Sequence, residues 1–418
     1  MNKGKQLAVD FKLTEWKTPD VYNQLRALMK DEEQMYTFCL EFLTNNTKSS
    51  TLFDSALSYI SEEHFAELVK TAITLLQQQE SKLAESVIEY ASIQLPLILH
   101  PYTKELLELN PNGESYYADY YWRYLPTTQL QPYLERFLAV DTDRATKEKL
   151  FSCLIESRDI SIIEQLIPHA LEIELSSYGS TDDYIDGYLE MVGLCRENGV
   201  VKRYCQDKVY HILFQPNYMN KPNNVHLNRT DHPTWNGTPT GLHFAMGGYI
   251  TEDENNPMMH MITFDYILDG LPITGLPKLV LGCHLRELNE NGIVFYQHDE
   301  QGNPHKIGDL MTIEWVEENA MVPTQVQIAP ADARWYFQSW ASSNSRENLF
   351  RIGGEPSWIQ NGDVLTCPIS GEKMQFIMQL DSEVPDVKGS EVYYGSGGLC
   401  YVFWCDKTKV SGYIIQHT

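Results

Sequence analysis

The sequence predicts an α+β protein: a solenoid-like array of α-helices comes first, and a β-rich carboxy-terminal domain with signs of an internal duplication follows. Three observations carry this reading. From about Thr18 to Leu213 the apolar residues recur at helical spacing. Near Gln215-Pro216-Asn217 that periodicity stops, and turn residues dominate from Lys221-Pro222-Asn223-Asn224 through Gly237-Thr238-Pro239. Close to the end stand two nearly continuous apolar runs, Met374 to Asp381 and Leu399 to Cys405, bounded by glycines and prolines. Such runs are strands buried on both faces, because a side chain on either face must then avoid water. Domains are therefore expected at 1–212 and 213–418, the second with candidate lobes 213–345 and 346–418.

Thr18-Pro19-Asp20 reads as a helix entry, with Val21, Leu25, Leu28 and Met29 following at helical spacing. Ser61-Glu62-Glu63 opens another helix, along which Phe65, Leu68, Val69, Ala72, Ile73 and Leu76 line one face. Lys82 to Leu99 continues the pattern with an interruption at Pro96, and Asp141 to Glu156 and Asp159 to Leu171 form a consecutive pair. Helices with short connections must bury their apolar stripes against neighbours, hence the array. The segment Glu114 to Tyr124 carries more aromatics than one buried stripe absorbs. Tyr116, Tyr117, Tyr120, Tyr121 and Trp122 are therefore candidate partner-binding residues, packing against neighbouring helices being the competing reading. Ser180 to Asp186 reads as a capped helix start whose acids suit the helix dipole rather than as a cation site.

Beyond the boundary the chain suggests two copies of one unit. Pro233-Thr234-Trp235 answers Pro356-Ser357-Trp358, Met258 to Asp265 lies on Met374 to Asp381, and Gly292 to Tyr296 answers Gly398 to Val402. Thr312 to Val316 alternates like a half-buried strand, and Ala331 to Trp340, after Pro330, reads as a helix between lobes. In the second copy, Gly353 and Gly354 permit backbone angles closed to other residues, and Pro356 fixes its own φ so that Trp358 is delivered onto the sheet from a rigid corner. Cys367-Pro368-Ile369-Ser370-Gly371 has the shape of a Cys-x-x-Cys-Gly zinc knuckle whose second cysteine is serine. Cys405-Asp406-Lys407-Thr408 repeats the pattern with threonine. Closed structural zinc sites want four Cys or His ligands, so neither a metal nor any other cofactor is expected.

Gly-Gly-x-Pro-x-Trp, the Cys367 knuckle, the strand from Met374 to Gln379 and the run Gly397 to Cys405 together resemble the domain shared by bacterial YwqG-like proteins and eukaryotic ribosomal-protein chaperones related to programmed cell death protein 2. The resemblance is strongest over Arg351 to Cys405 and weaker over the rest of the carboxy-terminal half. It implies a non-catalytic partner-binding module of the kind found among bacterial toxin and immunity systems. Ser370 and Thr408 depart from the zinc-bearing relatives, which puts metal binding in doubt but not the fold.

Of 418 residues, 43% are hydrophobic and 21% charged, with a formal net charge of −25 spread through both halves. Such a surplus of acid disfavours phosphate backbones and anionic membranes and favours a basic protein partner. The amino terminus has no apolar signal core and no run approaches a membrane span, so a cytoplasmic protein is expected, its eight cysteines read as buried thiols. A Walker loop, a His-Glu-x-x-His helix and a Gly-x-Ser-x-Gly elbow are missing. Gly395-Ser396-Gly397-Gly398 leads into a strand and reads as a turn rather than a phosphate cradle. Eight of the twelve histidines fall between 211 and 305, among them His226, His232, His243, His260, His284, His298 and His305. With Asp265 or Cys283 they form a metal site only if the strands bring them together. Arg351 is a further candidate for gripping a partner's carboxylate, with internal pairing to Glu355 or Asp381 as the alternative.

The function expected from all this is stoichiometric protein binding without catalysis, most concretely an immunity protein that neutralises a cognate basic toxin. A dedicated chaperone for a basic client such as a ribosomal protein, and a metal-dependent enzyme built on the histidine-rich lobe, are the alternatives.

Overall fold

The computed structural model describes residues 2–13, 19–46, 48, 50–78, 81–109, 119–172, 181–219, 231–250, 257–308, 319–341 and 347–418. The chain forms two compact units. One comprises Met1–Thr181, Lys221–Pro233 and Ala341–Glu347, the other Asp182–Asn220, Thr234–Trp340 and Asn348–Thr418. The boundary thus falls about thirty residues before the change of texture at 213.

The first unit is helical: α1 (Lys3–Leu13), α2 (Pro19–Leu28), α3 (Glu32–Asn45), α4 (Thr51–Leu57), α5 (Glu62–Gln78), α6 (Lys82–Gln94), α7 (Pro96–Leu99), α8 (Thr103–Leu109), α9 (Thr127–Leu138), α10 (Arg144–Glu156) and α11 (Ile160–Glu172). Local chemistry sets several of these ends. Asp31, Ser81 and Asp143 cap α3, α6 and α10 by accepting the amides of Gln34, Ala84 and Thr146. Pro96 cannot continue α6, so α7 restarts behind it. Met35, Phe38, Cys39, Phe42 and Leu43 bury one face of α3, and Phe65, Leu68, Val69, Ala72 and Ile73 one face of α5. α5 packs on α6, and α9, α10 and α11 pack on one another.

The second unit begins with α12 (Thr181–Met191) and the hairpin of β1 (Leu194–Glu197) and β2 (Val200–Arg203). The expectation of helix as far as Leu213 is corrected here. Val200, Val201, Val209 and Ile212 belong to strands, because β-branched residues between turn residues favour the pleated backbone. Among the described residues its main element is a 12-stranded sheet. The strands are β3 (Val209–Leu213), β4 (His243–Met246), β5 (Tyr249–Ile250), β6 (Met258–Phe264), β7 (Leu279–Cys283), β8 (Ile293–His298), β9 (Pro304–Lys306), β10 (Thr324–Pro330), β11 (Arg351–Gly353), β12 (Gln375–Asp381), β15 (Leu399–Cys405) and β16 (Val410–Gln416). A separate hairpin, β13 (Val384–Pro385) with β14 (Glu391–Val392), and helix α13 (Leu285–Asn291) complete the unit. The expected helix at 331–340 is only a 3₁₀ turn, Ala333–Trp335, capped by Asp332. Thr312 to Val316 lie outside the described residues.

From β7 the order runs β6, then β4 with β5, then β10, β3, β11, β12, β15, β16, β8 and β9. Its ends meet: the Val280 amide of β7 donates to the Gly302 carbonyl just before β9 at 2.9 Å. The curled sheet encloses one core, to which alternate residues of its strands contribute, such as Phe244 and Met246, Leu279 and Leu281, Val326 and Ile328, and Cys400, Val402 and Trp404. The intervening residues of β15 and β16, Leu399, Tyr401, Phe403, Cys405, Val410 and Ile414, face a second core with Trp358 and Tyr204. This is why β15 reads as an unbroken apolar run.

The two halves of the sheet mirror each other about the β3–β10 pair. On one side β10 is followed by β4, β6 and β7, on the other β3 by β11, β12 and β15. β6 breaks register with β7 between His260 and Ile262, and β12 with β15 between Phe376 and Met378, the positions that superpose when Met258 is laid on Met374. Phe244-Ala245-Met246-Gly247-Gly248 and Phe350-Arg351-Ile352-Gly353-Gly354 occupy matching places, with φ of 82°, 81°, 70° and 71° at the four glycines. A Cβ on Gly247 would stand 2.5 Å from the Val322 carbonyl oxygen, and one on Gly353 2.2 Å from that of Lys208. Each carbonyl belongs to the segment leading into the central strand of its half. The counterpart of β15 is thus β7, and the expected match of Gly292–Tyr296 to Gly398–Val402 gives way, because β8 lies beside β16 instead. Trp235 and Trp358 pack into different cores, so their tripeptides are not counterparts either.

Candidate functional site: two facing knuckle turns

The turn after Cys367 is closed by the Gly371 amide on the Cys367 carbonyl (2.9 Å) and the Cys367 amide on the Glu372 carbonyl (2.8 Å), with Gly371 at φ 72°. It is a short hairpin whose arms meet at Thr366 and Lys373. The second turn links β15 to β16, with Cys405 opposite Val410 and Lys409 at φ 54°. Sheet pairing between β12 and β15 brings the two turns face to face. Cys367 Sγ and Thr408 Oγ1 share a hydrogen bond at 3.1 Å, Cys405 Sγ and Ser370 Oγ one at 3.5 Å, and the Ser370 amide donates to Cys367 Sγ at 3.5 Å. Each hydroxyl therefore caps the thiol of the opposite turn. On the outside, Lys407 Nζ reaches Glu372 Oε1 at 2.6 Å.

Burial pushes the Cys367 thiol up, but hydrogen bonds from Ser370, Thr408 and neighbouring amides outweigh it and bring the thiol down to about 7. Burial alone moves other thiols the opposite way: Cys39 and Cys400 are pushed up, and Cys195 rises to about 11. A structural zinc ion needs four sulfur or imidazole ligands. These two sulfurs and two hydroxyls do not fit one, and the hydroxyls are already engaged with the sulfurs.

The knuckle hairpin is anchored by residues the sequence did not single out. Lys373 Nζ donates to Glu190 Oε1 (2.7 Å) and the Val364 carbonyl (3.0 Å), the Val364 amide to Glu190 Oε2 (2.9 Å), and the Lys373 amide to Glu197 Oε1 (2.9 Å). Burial raises the Glu190 carboxyl against the pull of Lys373. On the far turn, Asp406 accepts from the Thr274 amide (2.9 Å), the Trp404 indole (3.1 Å) and Lys409 (2.8 Å). Burial raises the Asp406 carboxyl, yet the bonds from Lys409 and Thr274 prevail and hold it at about 2. Glu190 meets Lys373 through tertiary structure alone, whereas Asp406, inside the second knuckle pattern, joins its near neighbours Trp404 and Lys409 to the distant Thr274.

The remaining candidates are placed as follows. Arg351 is fully buried, which corrects its assignment to a partner surface. Its guanidinium donates to the carbonyls of Tyr336 (3.0 Å) and Glu355 (2.7 Å), to Ser357 Oγ (2.8 Å) and to Gln379 Oε1 (3.2 Å). It buckles the Gly353-Gly354-Glu355-Pro356 corner to β12, and its bond at Glu355 is to the carbonyl rather than the carboxylate. Trp358 packs on Tyr401 with ring centroids 4.6 Å apart, and its indole donates to Tyr204 Oη at 3.1 Å. Tyr120, Tyr121 and Trp122 form a buried 3₁₀ turn against α6, α7 and α10, which corrects their assignment as exposed anchors. Trp122 meets Tyr133 edge-on at 4.8 Å, and Arg123 lies 3.7 Å over the Tyr120 ring and pairs with Glu156. Tyr116 and Tyr117 lie outside the described residues.

Each described histidine between 211 and 305 is tied to its own partner. His211 meets Gln338 (3.0 Å), His232 Ser58 (3.0 Å), His243 Gln327 (3.2 Å), His260 the Gly247 carbonyl (2.9 Å), His284 Tyr296 (2.9 Å), His298 Ser411 (2.8 Å) and His305 Asp299 (3.3 Å). Burial drives His211 and His298 down to about 4. His226 lies outside the described residues, among which no group of three or more His, Cys, Asp or Glu is placed to hold a metal ion. Asp182 and Asp186 on α12 both engage Arg196, at 2.6 and 2.9 Å. In the segment before β15 the amides of Gly397 and Gly398 turn back to the Tyr394 carbonyl at 3.3 and 2.8 Å, the geometry of a turn. Among the described residues no helix is long and apolar enough to cross a membrane.

No family model matches the chain, and no solved structure matches it. An uncharacterized protein of Salmonella typhimurium (strain LT2), YpfL, is 26% identical over 160 residues. The match spans 36% of this chain and 34% of that protein, so the chain covers about a third of the relative's length.

Proposed function

We propose that this protein works by stoichiometric binding of a basic protein partner, as an immunity protein that covers a cognate toxin, and that its second unit is a YwqG-like domain. The observation that carries the reading is charge: the formal net charge is −25, with acids in surplus in both units. Exposed carboxylates recur at helix starts, as with Glu32 and Glu33 on α3 and Glu62 and Glu63 on α5. A field of this sign raises the capture rate of a cationic partner, by roughly 10- to 1,000-fold in steered associations, and repels nucleic acid and anionic lipid. Fast capture is what an inhibitor acting by occupancy requires. The knuckle turns support a scaffold role, since their hydroxyls join the two halves of the clasp by hydrogen bonds.

Co-expression with the product of the adjacent gene tests the proposal. The expected result is a neighbour that is toxic alone, is relieved by this protein, and copurifies with it in a complex that weakens as salt rises. A harmless neighbour, or a toxic one that is neither bound nor relieved, overturns it. The same acidity would also suit a chaperone shielding a basic client, in which case a pull-down returns a housekeeping protein instead of an accessory one.

A further inference from the structure

The two turns hold two sulfurs from sequence-distant cysteines in one cluster, with Ser370 contacting both: its amide lies 3.5 Å from Cys367 Sγ and its hydroxyl 3.5 Å from Cys405 Sγ. Ser370 and Thr408 are partly exposed, so the cluster lies just beneath the surface. The amide and hydroxyl donors gathered around Cys367 stabilise a thiolate, as donors do at reactive cysteines. We propose that Cys367 and Cys405 are a peroxide-responsive dithiol, which closes to a disulfide and ties the hairpin before β12 to the β15–β16 turn. The Cys367 thiolate attacks one oxygen of hydrogen peroxide; an S–O bond forms, the O–O bond breaks, and hydroxide leaves and is protonated to water. The Cys405 sulfur then attacks the Cys367 sulfenic acid, forming S–S and breaking S–O, and the Cys405 proton departs with the oxygen as a second water. Two thiols and one peroxide give one disulfide and two waters. Selectivity comes from surroundings: burial holds Cys39, Cys153, Cys195 and Cys400 protonated, whereas the donors around the equally buried Cys367 bring its thiol down to about 7.

The test uses the full chain, exposed to a few equivalents of hydrogen peroxide at pH 7, then denatured, alkylated and mapped by mass spectrometry. The expected wild-type result is a Cys367–Cys405 cross-linked peptide that dithiothreitol reverses. Cys405→Ser should instead accumulate a Cys367 sulfenic acid trapped by dimedone, and Cys367→Ser should leave Cys405 reduced. Ser370→Ala with Thr408→Val, checked for native circular dichroism, removes the side-chain donors. Its Cys367 should oxidise roughly five-fold more slowly, the loss of thiolate being partly offset by the higher nucleophilicity of a more basic thiol. Oxidation of Cys367 no faster than that of Cys39 or Cys400, a disulfide joining any other pair, or an unchanged rate in the donor-less variant overturns the proposal.

Discussion

Replacing Arg351 distinguishes an internal buckle from a partner-facing cation. Its guanidinium donates to four acceptors at 2.7 to 3.2 Å, drawn from the Tyr336, Glu355, Ser357 and Gln379 positions, and the residue is fully buried. Lysine keeps the charge but offers one nitrogen, which cannot reach acceptors arranged around a planar fork. At about 1.5 kcal/mol for each charge-assisted hydrogen bond, losing two of the four costs Arg351→Lys about 2–3 kcal/mol. Arg351→Ala, which also strands the acceptors, should cost about 3–5 kcal/mol. With a urea slope of about 3 kcal/mol/M for a unit of this size, the lysine variant should lower the denaturation midpoint by close to 1 M. Urea titration followed by tryptophan fluorescence reads this directly. A lysine variant as stable as the wild type, or one that loses partner binding at unchanged stability, would refute the buckle and return Arg351 to the surface role.

Further outcomes follow from other residues. Gly353→Ala places a Cβ 2.2 Å from the Lys208 carbonyl oxygen at φ 70°, whereas Gly371→Ala, at φ 72°, meets nothing within 4 Å. The first should cost about 3 kcal/mol and the second about 1 kcal/mol in urea titrations. Trp122→Ala should destabilise the helical unit by about 3–5 kcal/mol in thermal or denaturant melts, since the side chain fills its interior. Asp406 is held at about 2, below its usual value of 3.8. A carboxyl depressed by folding contributes stability fully above its unfolded pKa and loses it as pH falls through the folded one. Asp406→Asn should therefore cost about 1–2 kcal/mol at pH 7, after a discount for the third of the side chain that is exposed, and about half as much at pH 3. A cost independent of pH would show that the charge is not what binds Thr274 and Lys409.

Much of the architecture was legible because its causes are local. The helix entries at Thr18-Pro19-Asp20 and Ser61-Glu62-Glu63, Pro96 and the helical stripes of α2 and α5 wrote much of the first unit into the sequence, and the unbroken apolar runs of β12 and β15 announced strands with a core on either side. The strands from Leu194 to Leu213 were hidden because four or five residues with apolar positions a few apart fit either period. The duplication was visible at Met258 and Met374, but the better marker was the repeated Phe-x-x-Gly-Gly, whose meaning depends on a carbonyl from a distant strand. Arg351 and the aromatics of 120–122 misled for a common reason. Both belong to residue types that dominate binding hot spots, and burial by neighbours distant in sequence is invisible until the chain is folded. Glu190 gave no signal at all, and Asp406 stood inside the second knuckle pattern without its role showing, because their partners Lys373 and Thr274 lie more than a hundred residues away.

The two facing turns pair each of two sulfurs with a hydroxyl of the opposite turn, Cys367 with Thr408 and Cys405 with Ser370, so cysteines at the hydroxyl positions would complete a four-sulfur set. Replacing both, Ser370→Cys with Thr408→Cys, and measuring metal content and the cobalt absorption spectrum tests this most directly. The double variant should bind one zinc ion per chain, show tetrahedral thiolate-to-cobalt bands and gain thermal stability, while the wild type binds none stoichiometrically. A double variant without zinc, or a wild-type protein that holds a full equivalent, would contradict the geometry on which the scaffold reading depends.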